Sequence, residues 1–281
     1  MRRLHLVPEV NEANGVYQVA RLLAERDGGE VRTLAQGRAI TPGAFDEVWV
    51  HGMWLPGQWR CCRAAVRAGC ALVRMVHGSL SPIYLRRQSP WAKRLVAPIE
   101  RFWFRRSARV IVTGAWEEAW CRAWGLQGPF ERIDMAEFFS LRKGCRRPQG
   151  AGLRVLYLGR AHPLKGVAYL EAAVAQLRAA GRAVELRQEA HAFGSEKEAA
   201  FAWADVLCLP SLSENFGVVV AEALTRGLPV IVTDGAPAWA GLLPGQGCYV
   251  AGYVAGSEET RVALLKAALE AFVCGDWGSD D

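Results

Sequence analysis

Long apolar runs are missing from this 281-residue chain. Its longest uncharged window, Gly235 to Ser257, holds six glycines and two prolines and fails as a membrane span. The opening Met1-Arg2-Arg3-Leu4-His5-Leu6 has charge but not the apolar stretch of a secretory signal. Cysteines are present but unpatterned: eight of them, at 61, 62, 70, 121, 145, 208, 248 and 274, form no C-x-x-C pair and have no His at finger spacing. They read as reduced thiols in a cytoplasmic protein, with neither zinc nor disulfides expected. Also absent are G-x-G-x-x-G, the P-loop, G-x-S-x-G and H-E-x-x-H. No Asp-x-Asp occurs, so the clustered carboxylates that hold a divalent ion beside a diphosphate are not expected, and neither is any other metal. A diphosphate would here be neutralised by Arg, Lys and helix N-termini.

What is present is an ordinary globular composition, 51% hydrophobic and 22% charged. The length suits one large or two modest domains. The net charge of +6 is concentrated. Residues 86–109 (RRQSPWAKRLVAPIERFWFRRSAR) hold eight Arg/Lys and one Glu, leaving the remaining chain at −1. Within them, Ser89-Pro90 reads as a helix start, with Trp91, Leu95, Ile99 and Phe102 along one side. Basic residues among interfacial aromatics suit an anionic membrane surface or a phosphorylated lipid-linked acceptor. A helix packed on a sheet with solvated arginines is the plainer reading. Nucleic acid fits poorly, because no recognised nucleic-acid module is present.

Short apolar runs alternate with helical patterns. Strands are expected at Arg3–Val7, Glu30–Leu34, Glu47–Val50, Ala71–Val76, Arg109–Thr113 and Glu131–Asp134, with an amphipathic helix over Val16–Arg26. The polar, Gly-rich segment 140–152 reads as a linker. The rhythm then restarts with strands at Arg154–Leu158, Val184–Leu186, Val206–Leu209 and Pro229–Thr233. Helices are expected at Val167–Ala179, Glu196–Trp203, Gly217–Thr225 and Glu258–Val273. This is an α/β chain of two Rossmann-like, doubly wound domains, 1–140 and 151–281, facing each other across a crevice. Ligands of such sheets bind outside the carboxyl ends of the strands.

Two loops in the second half carry the chemistry. Strand Arg154–Leu158 runs into Gly159-Arg160-Ala161-His162-Pro163-Leu164-Lys165-Gly166 and then a helix, bringing two cations to the strand's carboxyl end. Strand Val206–Leu209 runs into Pro210-Ser211-Leu212-Ser213-Glu214-Asn215-Phe216-Gly217, where the amides of Asn215, Phe216 and Gly217 can face an anion. Glu214 and Glu222 place carboxylates where sugar hydroxyls need fixed acceptors. Taken singly, Glu214 could favour a helix dipole and Glu222 could face water. The conjunction with Arg160 and Lys165 favours a binding site.

Glu214-(seven residues)-Glu222, within PSLSENFGVVVAEALTRGLPVIVTD, resembles the E-x7-E signature of family 4 retaining glycosyltransferases, which have the GT-B fold. LGRAHPLKG resembles the same family's L-G-R-x4-K-G loop. The first half is similar more loosely, through Asn14-Gly15 after the first strand and His77-Gly78-Ser79 at a strand end. The resemblance implies a nucleotide-sugar donor (UDP-, GDP- or ADP-linked), a glycan or lipid-linked acceptor, and transfer with retained anomeric configuration. It implies that Arg160 and Lys165 hold the diphosphate, Glu214 the sugar hydroxyls with Asn215–Gly217 beside it, and Glu222 the ribose. It further implies that Gly15 lets its loop approach the phosphates or acceptor, and that His77 faces the reacting sugar. Hexosyl transfer without a metal, in polysaccharide or lipopolysaccharide synthesis on the inner face of the cytoplasmic membrane, is the expected setting. His51, also at a strand end, reads as loop-shaping or acceptor-side, and His162 as incidental.

The chain departs from that family in three places. The Asn11–Gly15 loop lacks paired glycines, and Met135-Ala136-Glu137 stands where a Pro-Asn-Gly turn is usual. One βα unit is missing near Gln188–Gly194, so base recognition does not carry over. A sugar-nucleotide-binding protein without turnover, or a nucleotide-sugar epimerase, are the alternatives.

Overall fold

The computed structural model describes the chain except residues 13, 88–89, 149, 151, 191, 244 and 278–281. It divides into two compact units, Met1–Met135 and Ala136–Asp281.

The first unit holds a six-stranded parallel sheet of β1 (Arg3–Val7), β2 (Glu30–Thr33), β3 (Glu47–His51), β4 (Ala71–Met75), β5 (Arg109–Val112) and β6 (Phe130–Arg132), in the order β2-β1-β3-β4-β5-β6. Its helices are α1 (Gly15–Asp27), α2 (Pro56–Arg67), α3 (Pro82–Arg87), α4 (Pro90–Arg106) and α5 (Ala115–Ala123). β3 is buried along its whole length, as expected of a central parallel strand covered on both faces. On one side Leu4, Leu6, Val48, Val50 and Leu72 pack with Cys61, Cys62 and Ala65 of α2. On the other, Val76, Val110 and Val112 pack with Phe104 of α4 and Cys121 of α5. These cysteines are free thiols serving as small apolar groups, and burial pushes the Cys61 thiol up to about 12.

The second unit holds β7 (Leu153–Leu158), β8 (Val184–Glu189), β9 (Val206–Leu209), β10 (Val230–Thr233) and β11 (Gly247–Val250), with α6 (Val167–Ala179), α7 (Gly194–Trp203), α8 (Val218–Thr225) and α9 (Glu258–Cys274). All the pairs are parallel, in the order β11-β10-β9-β7-β8. β8 leads directly into α7 through residues 190–193, of which residue 191 lies outside the described residues. Part of the segment read as a linker lies along this unit: Arg146 N–H donates to Gly227 O at 2.9 Å, and Arg142 O accepts from Gln246 Nε2 at 2.7 Å.

In each sheet the chain leaves one strand towards both neighbours, at β1 between β2 and β3 and at β7 between β8 and β9. Such reversals open a crevice outside the carboxyl ends of the strands. In the second unit the reversal sets the loops after β7 and β9 side by side.

Candidate active site

Both phosphate-type loops meet at that reversal. Leu212 N–H donates to Leu164 O at 2.8 Å, and Tyr253 Oη donates to Pro210 O at 2.9 Å. Gly166 has φ +66°, and a Cβ there would stand 2.0 Å from Pro210 O, so only glycine lets the loops touch. Lys165 Nζ contacts Glu214 Oε2 directly, and Ser211 Oγ lies 3.4 Å from the same oxygen. Glu214 is held from the backbone by its N–H to Gly235 O at 2.7 Å. Lys165 and Glu214, 49 positions apart, form one half-buried ion pair.

Around this pair the other expected residues fall into place unevenly. Arg160 follows β7 with an exposed side chain, and its carbonyl accepts from Tyr157 Oη at 3.0 Å. His162 caps a short 3₁₀ turn, Pro163–Lys165, by accepting Leu164 N–H on Nδ1 at 3.2 Å, a structural task. Phe216 is buried with its ring 5.0 Å from Trp239 and 6.0 Å from Phe139, which pins the peptide that precedes α8. Gly217, at φ +73°, makes the left-handed turn into α8, whose first amides carry the positive end of the helix dipole. Glu222 does not face open water: Lys197 of α7 holds its Oε1 at 2.6 Å. Sequence reasoning missed Lys197, which stands in no motif, and gave Ser211 no role of its own within its loop.

Gly15 and His77 belong to the first unit. Asn14 caps α1 by accepting Val16 N–H at 2.9 Å and donates to Glu9 at 2.7 Å. Gly15 opens that helix, and an added Cβ would meet nothing within 4 Å, so packing does not demand a glycine. His77 follows β4 in a left-handed conformation, φ 56°, rare for a side chain with Cβ. Buried Glu117 of α5 anchors that turn by accepting the Gly78 N–H and, at 2.8 Å, the Thr113 N–H. Burial pushes the Glu117 carboxyl up.

His51, read as loop-shaping or acceptor-side, is fully buried, and its carbonyl accepts from Gln58 Nε2 at 2.7 Å. It is buried between two other histidines: its Nδ1 lies 2.8 Å from His77 Nε2, and its Nε2 lies 3.0 Å from His5 Nδ1. Burial depresses His5 to about 4 and His77 to about 3, and drives His51 down as well, helped by its two neighbours. At neutral pH all three are uncharged. Residues 5, 51 and 77 share no sequence spacing, so only the register of β1, β3 and β4 reveals the chain. Among the described residues no three His, Cys, Asp or Glu side chains group to hold a metal ion.

Helix α4 turns the basic segment inside out. Its apolar side faces outward: Trp91 is 68% exposed, Leu95 72%, Ile99 39% and Phe102 45%. Ala97, Glu100, Trp103 and Phe104 face inward. Glu100, the segment's single acid, is spent in the core on Arg74, at 3.0 Å. Arg109 pairs with Glu47 and Glu131, while Arg94, Arg101, Arg105 and Arg106 flank the outer apolar stripe. Ser89 lies outside the described residues, and the helix itself begins at Pro90. Among the described residues no helix is long and apolar enough to cross a membrane.

Two family models match the chain. "Glycosyl transferase 4-like domain" covers residues 3–138, and "Glycosyl transferases group 1" covers residues 152–272. The chain belongs to the group 1, family 4-type glycosyltransferases, and its two parallel α/β units have the GT-B fold. Solved structures agree on the fold. Sucrose-phosphate synthase from Thermosynechococcus elongatus is similar at TM-score 0.65 with 17% identity, over 96% of this chain and 90% of that one. Anabaena HepE in complex with UDP-glucose is similar at 0.62 with 15% identity, over 96% and 90%. WaaG, a glycosyltransferase involved in lipopolysaccharide biosynthesis, is similar at 0.59 with 14% identity, over 97% and 90%. Among curated proteins, no sequence matches.

Proposed function

We propose that this transferase moves a hexose from a nucleotide diphosphate donor to a glycan or lipid-linked glycan with retention of configuration. The observation that carries the reading is the Lys165–Glu214 pair at the strand-order reversal, with Arg160 beside it in the same loop. A cation for the diphosphate and a carboxylate for the sugar hydroxyls stand in contact, as a donor containing both groups requires. Glu222, steadied by Lys197, offers a second acceptor for the ribose. In the reaction the bond between the sugar's anomeric carbon and the departing phosphate breaks. The acceptor oxygen bonds to that carbon on the same face, and its proton passes to the departing phosphate. Arg160, Lys165 and the amides of Asn215 to Gly217 stabilise the charge that develops on that phosphate, which leaves no step needing a metal. The family resemblance gives His77 the role of facing the reacting sugar, and Gly15 that of letting its loop approach the donor phosphates or the acceptor. The UDP-glucose complex of HepE supports a UDP-linked hexose as the first donor to test.

A panel of UDP-, GDP- and ADP-sugars, offered with and without glycan and lipid-linked acceptors, tests this. One donor is expected to give a product whose anomeric configuration matches the donor by NMR. Tight donor binding without turnover on any acceptor would make the chain a binding protein. An isomerised sugar nucleotide formed without acceptor would make it an epimerase.

The acceptor side is proposed to rest on an anionic membrane surface through α4, at the inner face of the cytoplasmic membrane. Support comes from the outward Trp91, Leu95, Ile99 and Phe102 between arginines, the arrangement of a helix lying in the lipid interface. Reversing Arg101, Arg105 and Arg106 to Glu is expected to weaken binding to phosphatidylglycerol vesicles about a hundredfold or more, at about 1 kcal/mol per lost cation. Donor affinity should stay unchanged. Equal sedimentation of both proteins with the vesicles would sink the membrane role.

A further inference from the structure

The three histidines of the first unit form a line that ends blind. His5 Nδ1 meets His51 Nε2 at 3.0 Å, and His51 Nδ1 meets His77 Nε2 at 2.8 Å. At the inner end, His5 Nε2 is buried without a hydrogen-bond partner among the described residues. The backbone closes over it: a Cβ on Gly29 would stand 3.3 Å from that nitrogen. At the outer end, His77 Nδ1 has no protein partner among the described residues and stands at the carboxyl edge of the sheet.

A neutral imidazole donates from one nitrogen and accepts on the other, so one choice at His5 sets all three rings. If the proton sat on His5 Nε2, an N–H donor would be buried with nothing to receive it. With the proton on Nδ1, the unpaired atom is an acceptor, the lesser penalty. His5 then donates to His51 Nε2, His51 donates from Nδ1 to His77 Nε2, and the proton of His77 is left on Nδ1.

We propose that His5 and His51 are positioning residues that lock His77 as the Nδ1–H tautomer, so that it presents a hydrogen-bond donor at the sheet's carboxyl edge. This rests on the reading that His77 faces the donor sugar. Locking also fixes the ring plane, which the left-handed backbone at His77 and the Glu117 anchor already restrain. The line does not conduct protons, since its buried end has no group to take one up or give one. The charged groups that face it are Asp27 of α1, Arg3 of β1 and Glu47 of β3. All three act on His5. Arg3 is itself bound to Asp27 and Glu47. An uncharged donor of this kind can bond a sugar hydroxyl without setting a cation beside a nascent positive charge on the ring.

Two-bond proton–nitrogen NMR of the full chain labelled with 15N-histidine reads the tautomers directly, without any substrate. The expected result is Nδ1–H at all three rings, the minority tautomer of free histidine. His5→Phe removes the ring that makes the choice, and His77 is expected to revert to Nε2–H or to a mixture. His5→Asn sets an amide close to where Nδ1 stands and should restore Nδ1–H at His77. Nε2–H at His77 in the unaltered protein overturns the proposal, as does an unchanged His77 tautomer in His5→Phe. The unaltered protein's spectrum decides even where the variant does not fold. With the donor that the sugar-nucleotide panel identifies, His5→Phe is expected to lower kcat about tenfold with little change in KM, the low end for losing a partner that orients an imidazole. His5→Asn should recover most of it. If no sugar nucleotide in the panel binds or reacts, the glycosyl-transfer reading fails, while the spectrum still judges the lock.

Discussion

Glu100→Ala is expected to cost the first unit about 3–5 kcal/mol, the range for removing one partner of a buried ion pair. Arg74 is fully buried on β4, and its guanidinium donates to Glu100 Oε2 at 3.0 Å and to Gly52 O at 3.1 Å. A face of the same group lies 5.1 Å from the Phe104 ring centre. Without the carboxylate this cation remains fully buried and loses its counter-charge. Glu100 Oε1 also accepts from the Trp54 amide at 2.8 Å and from the Trp59 indole at 2.9 Å, and both donors would be stranded. Urea unfolding followed by tryptophan fluorescence measures the effect, since Trp54 and Trp59 report on this site. Replacing Arg74 and Glu100 together by Met and Leu should recover much of the loss, because then no charge is left unpaired. A Glu100→Ala protein as stable as the parent would show that Arg74 finds water or another acceptor.

Lys165→Ala should lower kcat about 10²- to 10³-fold, the usual loss when one preorganised group that stabilises developing charge is removed. Its stability effect should be small. The pair with Glu214 is half-buried, so water can solvate the carboxylate left behind. Lys165→Arg is expected to recover only part of the activity, because a planar fork does not reproduce a point charge in this position. Kinetics with the donor identified by the panel, set beside a melting curve, separate the two effects. A Lys165→Ala enzyme with full turnover would remove Lys165 from the diphosphate site.

Much of the fold is legible because its parallel strands are buried on both sides and so appear as bare apolar runs. β1 and β9 have the limits their sequence predicts, and the others shift by a residue or a few at their ends. α2 escapes such a reading. It opens on Pro56-Gly57, which looks like a turn, and its buried face is Gln58, Cys61, Cys62 and Ala65 rather than a leucine stripe. β11 lies hidden in a glycine-rich stretch whose strand nature depends on pairing with β10. At the site, Lys165 and Glu214 are recognisable because their motifs travel with local backbone, a glycine turn and a helix start. Lys197 on Glu222, Arg74 on Glu100 and the three histidines join residues that only the tertiary register brings together. The outward turn of Trp91 and Phe102 is likewise a property of what α4 packs against, since the periodicity marks a face without saying which way it points.

The contact of Lys165 with Glu214 has a consequence for how the site discriminates and how it empties. At rest each charge satisfies the other, so an entering molecule must break that bond and replace both ends. On the proposed function, a nucleoside diphosphate would offer an anion to Lys165 but leave Glu214 with water alone; a free sugar would do the reverse. Only a molecule that joins the two would replace everything it disrupts, so intact donor is expected to outcompete its own fragments. Once the sugar had moved to the acceptor, the remaining diphosphate would be such a fragment, and re-forming the pair would help to expel it.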